Sequence, residues 1–193
     1  RKDLIAGVIE DSAACSLDDI RAEVIGMEDK IVTTAQEVHA SAPGRVNLLG
    51  EHTDYNLGLV LPTTIPQRTR IWLRFRSDRR VIASSTTVDA QQHEYELGSE
   101  ARGRGWLDYV QGTTAALAER GLKLRGFELR VDSQVPTGSG LSSSAALLTA
   151  LLRGLREGLQ LDLPDLELAR LCQRIENDFV GAPVGILDPL ACG

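Results

Sequence analysis

The sequence predicts an α+β protein, because strand-like segments come first along the chain and long helical segments follow them. Apolar residues alternate with polar ones between positions 71 and 76, which is the two-residue period of a half-buried strand. Two long apolar-periodic segments, 141–159 and 164–180, have the spacing of helices. This order favours a layered α+β fold over a strict alternation of strand and helix.

The remaining elements follow in sequence order. Residues 1–35 have weak helical spacing and predict a helical leader, so the domain proper is expected at 36–193. Pro43-Gly44 predicts a bend in a strand that begins near Val38. Further strands are predicted between 60 and 97 and at 127–131, and an amphipathic helix is predicted at 106–120.

Composition excludes several classes of function. The net charge of −6 argues against a general nucleic-acid binder, which would carry a basic face. The three cysteines lie far apart and are odd in number, which indicates reduced thiols in a cytoplasmic protein. No apolar run reaches the roughly 20 residues that span a bilayer. The chain is therefore expected to bind neither nucleic acid nor membrane.

The segment 135–148, VPTGSGLSSSAALL, predicts a phosphate-binding loop that leads into a helix. Gly138 and Gly140 have no Cβ, so their backbone can approach a ligand closely. A helix beginning at Leu141 would direct unpaired amides and its positive dipole end at an anion. The segment is not a Walker A loop, because no lysine follows the second glycine. A dinucleotide fingerprint needs glycine where Ser143 stands, and simple helix capping stays open as an alternative.

A second group of polar residues lies between 42 and 58, in the segment APGRVNLLGEHTDYNLG. Four side chains within ten residues there are strong hydrogen-bonding groups: Arg45, Glu51, His52 and Asp54. They follow a strand-like segment, so they either belong to a solvated loop or hold the hydroxyls of a sugar. The residues themselves leave both interpretations open.

Asp188 stands between Leu187 and Leu190 near the end of the sequence. A carboxylate in apolar surroundings has a raised pKa unless a cation pairs with it. It either caps a short helix or takes part in chemistry.

Together, the three segments 42–58, 135–148 and 185–189 (GILDP) resemble the galactokinase family of the GHMP superfamily of sugar and metabolite kinases. The first segment is specific to galactokinases, and the second is specific only to the superfamily. The resemblance covers most of the chain after about residue 36. It implies the N-terminal domain of a GHMP-type kinase, with the ribosomal protein S5 domain 2-like fold, in which a mixed sheet carries helices on one side.

The resemblance implies binding residues for ATP and Mg²⁺. The loop would wrap the triphosphate of ATP, and Trp106 would form the wall of the adenine pocket. Ser144 and Glu176 would ligate Mg²⁺, which suits an ion that keeps room for phosphate oxygens and water. The implied loop residues are Pro136, Thr137, Gly138, Ser139, Gly140, Leu141, Ser142, Ser143 and Ser144.

The resemblance also implies the catalytic and sugar-binding residues. Asp188 would accept the proton of the anomeric hydroxyl of galactose, with Arg45 beside it. Glu51, His52, Asp54 and the backbone near Gly185 would hold the other hydroxyls. The implied product is galactose 1-phosphate.

The sequence departs from the family in three ways. Pro189 stands where the family has Gln, and the leader lacks the family's Phe-Gly element. The third glycine-rich motif and a sugar-contacting Tyr are not in this sequence, so we expect an N-terminal half whose partner is the C-terminal domain of the same protein. Such a half is expected to expose an apolar face and to have little activity alone.

Two other functions are compatible with the same residues. One is a kinase for a related sugar, such as galacturonate, arabinose or N-acetylgalactosamine. The other is a non-catalytic regulator that binds galactose and ATP. The intact Ser144-Ala145 pair argues against the regulator.

Overall fold

The computed structural model describes residues 37–50, 58–89 and 91–193. The predicted leader at 1–35 therefore lies outside the described residues. The described part contains five strands, which are β1 (Glu37–Leu49), β2 (Leu61–Phe75), β3 (Arg80–Ser85), β4 (Gln92–Glu96) and β5 (Phe127–Ser133). Its α-helices are α1 (Leu107–Glu119), α2 (Ser143–Gly158), α3 (Asp165–Arg174) and α4 (Leu187–Cys192), and a π-helical turn, Ile175–Val180, follows α3.

The strands form one mixed sheet in the order β1-β2-β5-β3-β4. β3 and β5 pair in parallel, and the other neighbouring pairs are antiparallel. The predicted α+β class with a mixed sheet is confirmed. None of the helices in the described ranges has the length and apolar character needed to cross a membrane.

The helices cover one face of the sheet. Ile71, Leu73 and Leu129 are buried on that face, whereas Arg74 and Arg130 on the opposite face are exposed. Helix α2 lies close against β2, because a Cβ on Gly154 would come within 2.6 Å of the Ile71 side chain. This close approach occurs in the C-terminal half of α2 and holds that half against β2.

At the predicted bend, Pro43-Gly44, the register of β1 shifts between Pro43 and Arg45, and the strand continues to Leu49. The structure corrects two details of the predicted elements. Helix α2 begins at Ser143 and not at Leu141. The predicted helix at 164–180 is α-helical only as far as Arg174, and its last part is the π-helical turn.

Candidate functional site

The loop between β5 and α2 is shaped by three left-handed residues. Gly138, Gly140 and Ser142 have φ angles of 69°, 72° and 59°. Ser142 stands immediately before α2, yet its side chain makes no capping hydrogen bond to the helix. The Ser142 side chain therefore does not cap α2.

The loop is held against β1 by the backbone of Arg45. The Arg45 amide donates to the carbonyl of Leu141 over 3.2 Å. Gly44 permits this approach, because a Cβ there would lie 2.7 Å from the same carbonyl oxygen. This glycine is needed for close contact between the strand and the loop.

Arg45 also joins the loop to helix α4. Its Nε donates to Oδ1 of Asp188 over 2.8 Å, and its second terminal nitrogen contacts the same oxygen. The remaining nitrogen donates to the carbonyl of Gly140 over 2.7 Å. The Asp188 carboxylate is therefore paired with a cation, the Arg45 guanidinium. The Arg45 side chain is only 12% exposed.

Ser142 completes the surroundings of Asp188. Its hydroxyl donates to Oδ2 of Asp188 over 2.6 Å, so both carboxylate oxygens accept hydrogen bonds. Pro189, which departs from the family pattern, lies in the first turn of α4. Proline is tolerated there because the amide it lacks has no partner within the helix.

Glu176 is buried behind the loop, with 1% of its surface exposed. Burial raises its pKa, a hydrogen bond with Ser144 lowers it, and the charge of Asp188 raises it further. Among the described residues its Oε2 has no hydrogen-bond partner. A buried carboxylate oxygen without a donor, next to a hydroxyl, is a donor set that fits a magnesium ion.

The π-helical turn and α1 together position Glu176. Glu176 is the second residue of the turn, and π-helical turns often occur at functional sites. Gly112 on α1 lets this turn approach, because a Cβ there would lie 2.8 Å from Ile175. Tyr109 on α1 forms a hydrogen bond with Ser144, and burial raises the pKa of Tyr109.

One cavity of about 360 Å³ lies beside the loop. Arg45, Asp188 and the whole loop from Pro136 to Ser144 line it, and Trp106 and Tyr109 contribute aromatic surface. The structure thus brings together most of the predicted site residues. The remaining lining residues are Thr69, Ser85, Val88, Val131, Ser133 and Leu147.

Some predicted residues are not part of this cavity. Glu51, His52 and Asp54 lie outside the described residues, so their roles stay predictions. Gly185 and Glu176 are described but do not line the cavity; Glu176 lies next to it, through its hydrogen bond with Ser144. Sequence reasoning missed Ser85, Val88 and Ser133 as lining residues, because nothing in the local pattern of β3 or β5 marks them.

Two family models match the chain. The GHMP kinases N terminal domain matches residues 108–193. The galactokinase galactose-binding signature matches residues 29–75, which include Arg45 and the polar group that follows it. The chain has the fold of the N-terminal domain of GHMP kinases, whose model matches it over residues 108–193. The galactose-binding signature makes the chain similar to the galactokinases within that superfamily.

Its curated relatives are galactokinases. The Streptomyces coelicolor galactokinase is 44% identical over 153 residues, which are 78% of this chain and 40% of the relative. The galactokinase of Chloroflexus aggregans is 45% identical over 152 residues, or 78% of this chain and 39% of the relative. The chain thus spans about two fifths of the length of these relatives.

Solved structures give the same fold. The Lactococcus lactis galactokinase complexed with galactose superimposes with a TM-score of 0.77 and 36% identity, covering 89% of this chain and 45% of that one. The mevalonate kinase of Methanococcus jannaschii superimposes with a TM-score of 0.71 over 81% of this chain and 51% of that one. At 19% identity the second likeness shows the fold alone.

Proposed function

We propose that this chain is the nucleotide- and sugar-binding portion of a galactokinase, which phosphorylates the C1 hydroxyl of galactose with ATP and gives galactose 1-phosphate. One observation carries the proposal. Arg45, Asp188 and the loop from Pro136 to Ser144 are hydrogen-bonded to one another on a single cavity. The relatives' names and the galactose in the Lactococcus lactis complex support galactose as the sugar.

The triphosphate of ATP fits the loop. The first amides of α2 have no partner within the helix, and the positive end of its dipole favours an anion. The whole chain has a net charge of −6, so attraction for the phosphates has to come from this local arrangement and from Arg45. The aromatic wall formed by Trp106 suits the adenine base.

Ser144 and Glu176 would hold Mg²⁺, which supplies charge neutralisation on the phosphate oxygens. Asp188 accepts the proton of the C1 hydroxyl while the transition state develops, because a sugar hydroxyl is too weak an acid to ionise first. Arg45 compensates the charge on the group being transferred. Its hydrogen bonds to Asp188 and to the Gly140 carbonyl hold the proposed base and the phosphate-binding loop in a fixed position relative to each other.

We further propose that these 193 residues alone turn over little substrate, because the relatives carry about as much chain again. Activity should be measured in an extended chain, in which the C-terminal portion of the Streptomyces coelicolor galactokinase follows Gly193. The extended chain should release ADP in a galactose-dependent reaction. Arabinose, galacturonate and N-acetylgalactosamine in the same assay test the alternative sugars.

Asp188→Asn in the extended chain tests the assignment of the base. The variant should lose nearly all turnover and still bind ATP, because Asn cannot accept the proton. Asp162→Asn is the matched control, since Asp162 is exposed and does not line the cavity. Turnover close to that of the unaltered extended chain in Asp188→Asn would refute the assignment. Binding of galactose and ATP without product would favour a regulator.

A further inference from the structure

The segment after β3 lies beside the cavity and is held by hydrogen bonds at Thr87 and Asp89. Near its start, Thr87 Oγ1 donates to the carbonyl of Ser133 over 3.2 Å and accepts from the Ser133 amide over 3.0 Å. Two residues later, Asp89 accepts a hydrogen bond from Trp106, which stands immediately before α1. Val88, between these anchors, lines the cavity.

Asp89 binds the polar edge of the Trp106 indole. Its Oδ2 accepts from Nε1 of Trp106 over 3.2 Å and from Nε2 of His93 over 3.1 Å. A carboxylate only accepts, so Nε2 of His93 carries the proton. The His93 ring also meets the indole edge-on, with the centroids 5.8 Å apart.

The ionised form of Asp89 is favoured in this cluster. Its pKa lies below the ordinary value, chiefly because His93 hydrogen-bonds it and also because Trp106 does. The indole N–H is the only donor of the tryptophan side chain, and a carboxylate is a stronger acceptor than a neutral group. The hydrogen bond therefore selects one orientation of an aromatic ring that lines the cavity.

We propose that Asp89 is a positioning residue for the nucleotide: it fixes the Trp106 indole as the surface on which the adenine of ATP stacks, and His93 supports it. The inference rests on the proposed function, because it takes the ligand of the cavity to be ATP. Asp89 does not touch the nucleotide in this arrangement; it acts through Trp106.

The contact itself can be tested in the 193-residue chain without any ligand. The chain has two tryptophans, so Trp72→Phe leaves Trp106 as the single fluorophore. In that background Asp89→Ala should shift the emission to longer wavelength and increase quenching by acrylamide, because the indole loses its anchor. Asp89→Asn should restore the spectrum, because its amide oxygen can accept from the indole. Asp162→Ala, at an exposed position, should change neither measurement.

The consequence for the nucleotide is tested by titrating the same chain with Mg²⁺ and ATP by calorimetry. Loss of ordered stacking should raise the Kd for ATP roughly tenfold in Asp89→Ala. Trp106→Ala should weaken binding at least as much, and adding Asp89→Ala to it should have no further effect, because the two residues act as one unit.

Each outcome has a defined meaning. An unchanged spectrum in Asp89→Ala overturns the inference, as does an equal loss of ATP affinity from Asp89→Ala with and without Trp106. If Trp106→Ala leaves ATP affinity unchanged, or if the cavity binds no ATP, the nucleotide part of the proposed function fails. The positioning inference then fails as well, even if the spectra show that Asp89 anchors the indole.

Discussion

The hydroxyl of Ser142 donates a hydrogen bond to Oδ2 of Asp188 over 2.6 Å. Arg45 engages the other carboxylate oxygen, so the orientation of the carboxylate is fixed from two sides. Ser142 reaches it from a left-handed backbone conformation, which is unfavourable for a residue other than glycine. The hydrogen bond gives a physical reason why a serine is held in that conformation.

Ser142→Ala should lower kcat in the extended chain about tenfold, because a hydrogen bond to a charged group contributes on the order of 1.5 kcal/mol or more. The KM for ATP should change little, since the hydroxyl binds Asp188 and not the phosphates. Steady-state kinetics with varied ATP separates the two quantities.

Ser99→Ala is the control for this variant, because Ser99 is exposed, does not line the cavity and donates to the Glu96 carbonyl. Its kcat should stay within about twofold of the unaltered extended chain. A rise in the KM for ATP with unchanged kcat in Ser142→Ala would show that Ser142 contacts the nucleotide instead.

Glu176→Gln should abolish the additional rise in the Tm of the protein that Mg²⁺ gives when ATP is present. The unaltered chain should have a higher Tm with Mg²⁺ and ATP than with ATP and a chelator, because a ligand that binds only the folded state stabilises it. The variant should show the same Tm in both solutions. Glu157→Gln, on the exposed face of α2, is the control and should behave like the unaltered chain.

The same variant should also alter the pH dependence of stability without metal. Burial raises the pKa of Glu176 in the folded state, so the folded state binds the proton more tightly than the unfolded state does. The unaltered chain should therefore lose stability as the pH rises from the unfolded pKa of about 4.3 through the raised folded pKa. Glu176→Gln should lack this loss and be the more stable protein at neutral pH. A lower Tm for the variant at pH 7 would contradict this explanation.

Gly154→Ala should destabilise the fold although alanine is the better helix former. The added Cβ would lie 2.6 Å from the Ile71 side chain and 2.7 Å from that of Leu73, so α2 would have to move off the sheet. Overpacking of this kind costs roughly 1–3 kcal/mol, which urea unfolding would measure.

Glu157→Ala places the same residue on the exposed face of the same helix and should leave stability unchanged or slightly higher. Equal stability of Gly154→Ala and the unaltered chain would mean that the helix and the sheet have room to separate.

The thiols of Cys172 and Cys192 should not react with iodoacetamide at pH 8 in the folded protein. Both are buried, and burial raises the pKa of each to about 12, so almost no thiolate is present. Peptide mass spectrometry should find both cysteines unmodified in the folded protein. After unfolding in urea, both should be modified. Modification of Cys172 in the folded chain would contradict the packing of α2 against α3.

Local pattern and family resemblance together predicted the sheet, the main helices and the convergence of Arg45, Asp188 and the loop. The predicted bend at Pro43-Gly44 coincides with a register shift in β1, which is an edge strand, where proline removes no hydrogen bond that the sheet needs. The π-helical turn that carries Glu176 depends on the packing of Gly112 against Ile175, which only the folded structure reveals. Asp89 was missed because a polar turn residue has no pattern that marks a contact with Trp106.

The ion pair between Arg45 and Asp188 joins positions 143 residues apart. During synthesis on a ribosome, Arg45 and the loop would emerge long before their carboxylate partner. Contacts this distant along a chain form slowly, because a large loop has to close first. This ion pair should therefore be among the last features to form. In a nascent chain that ends before α4, Arg45 would still lack its partner Asp188.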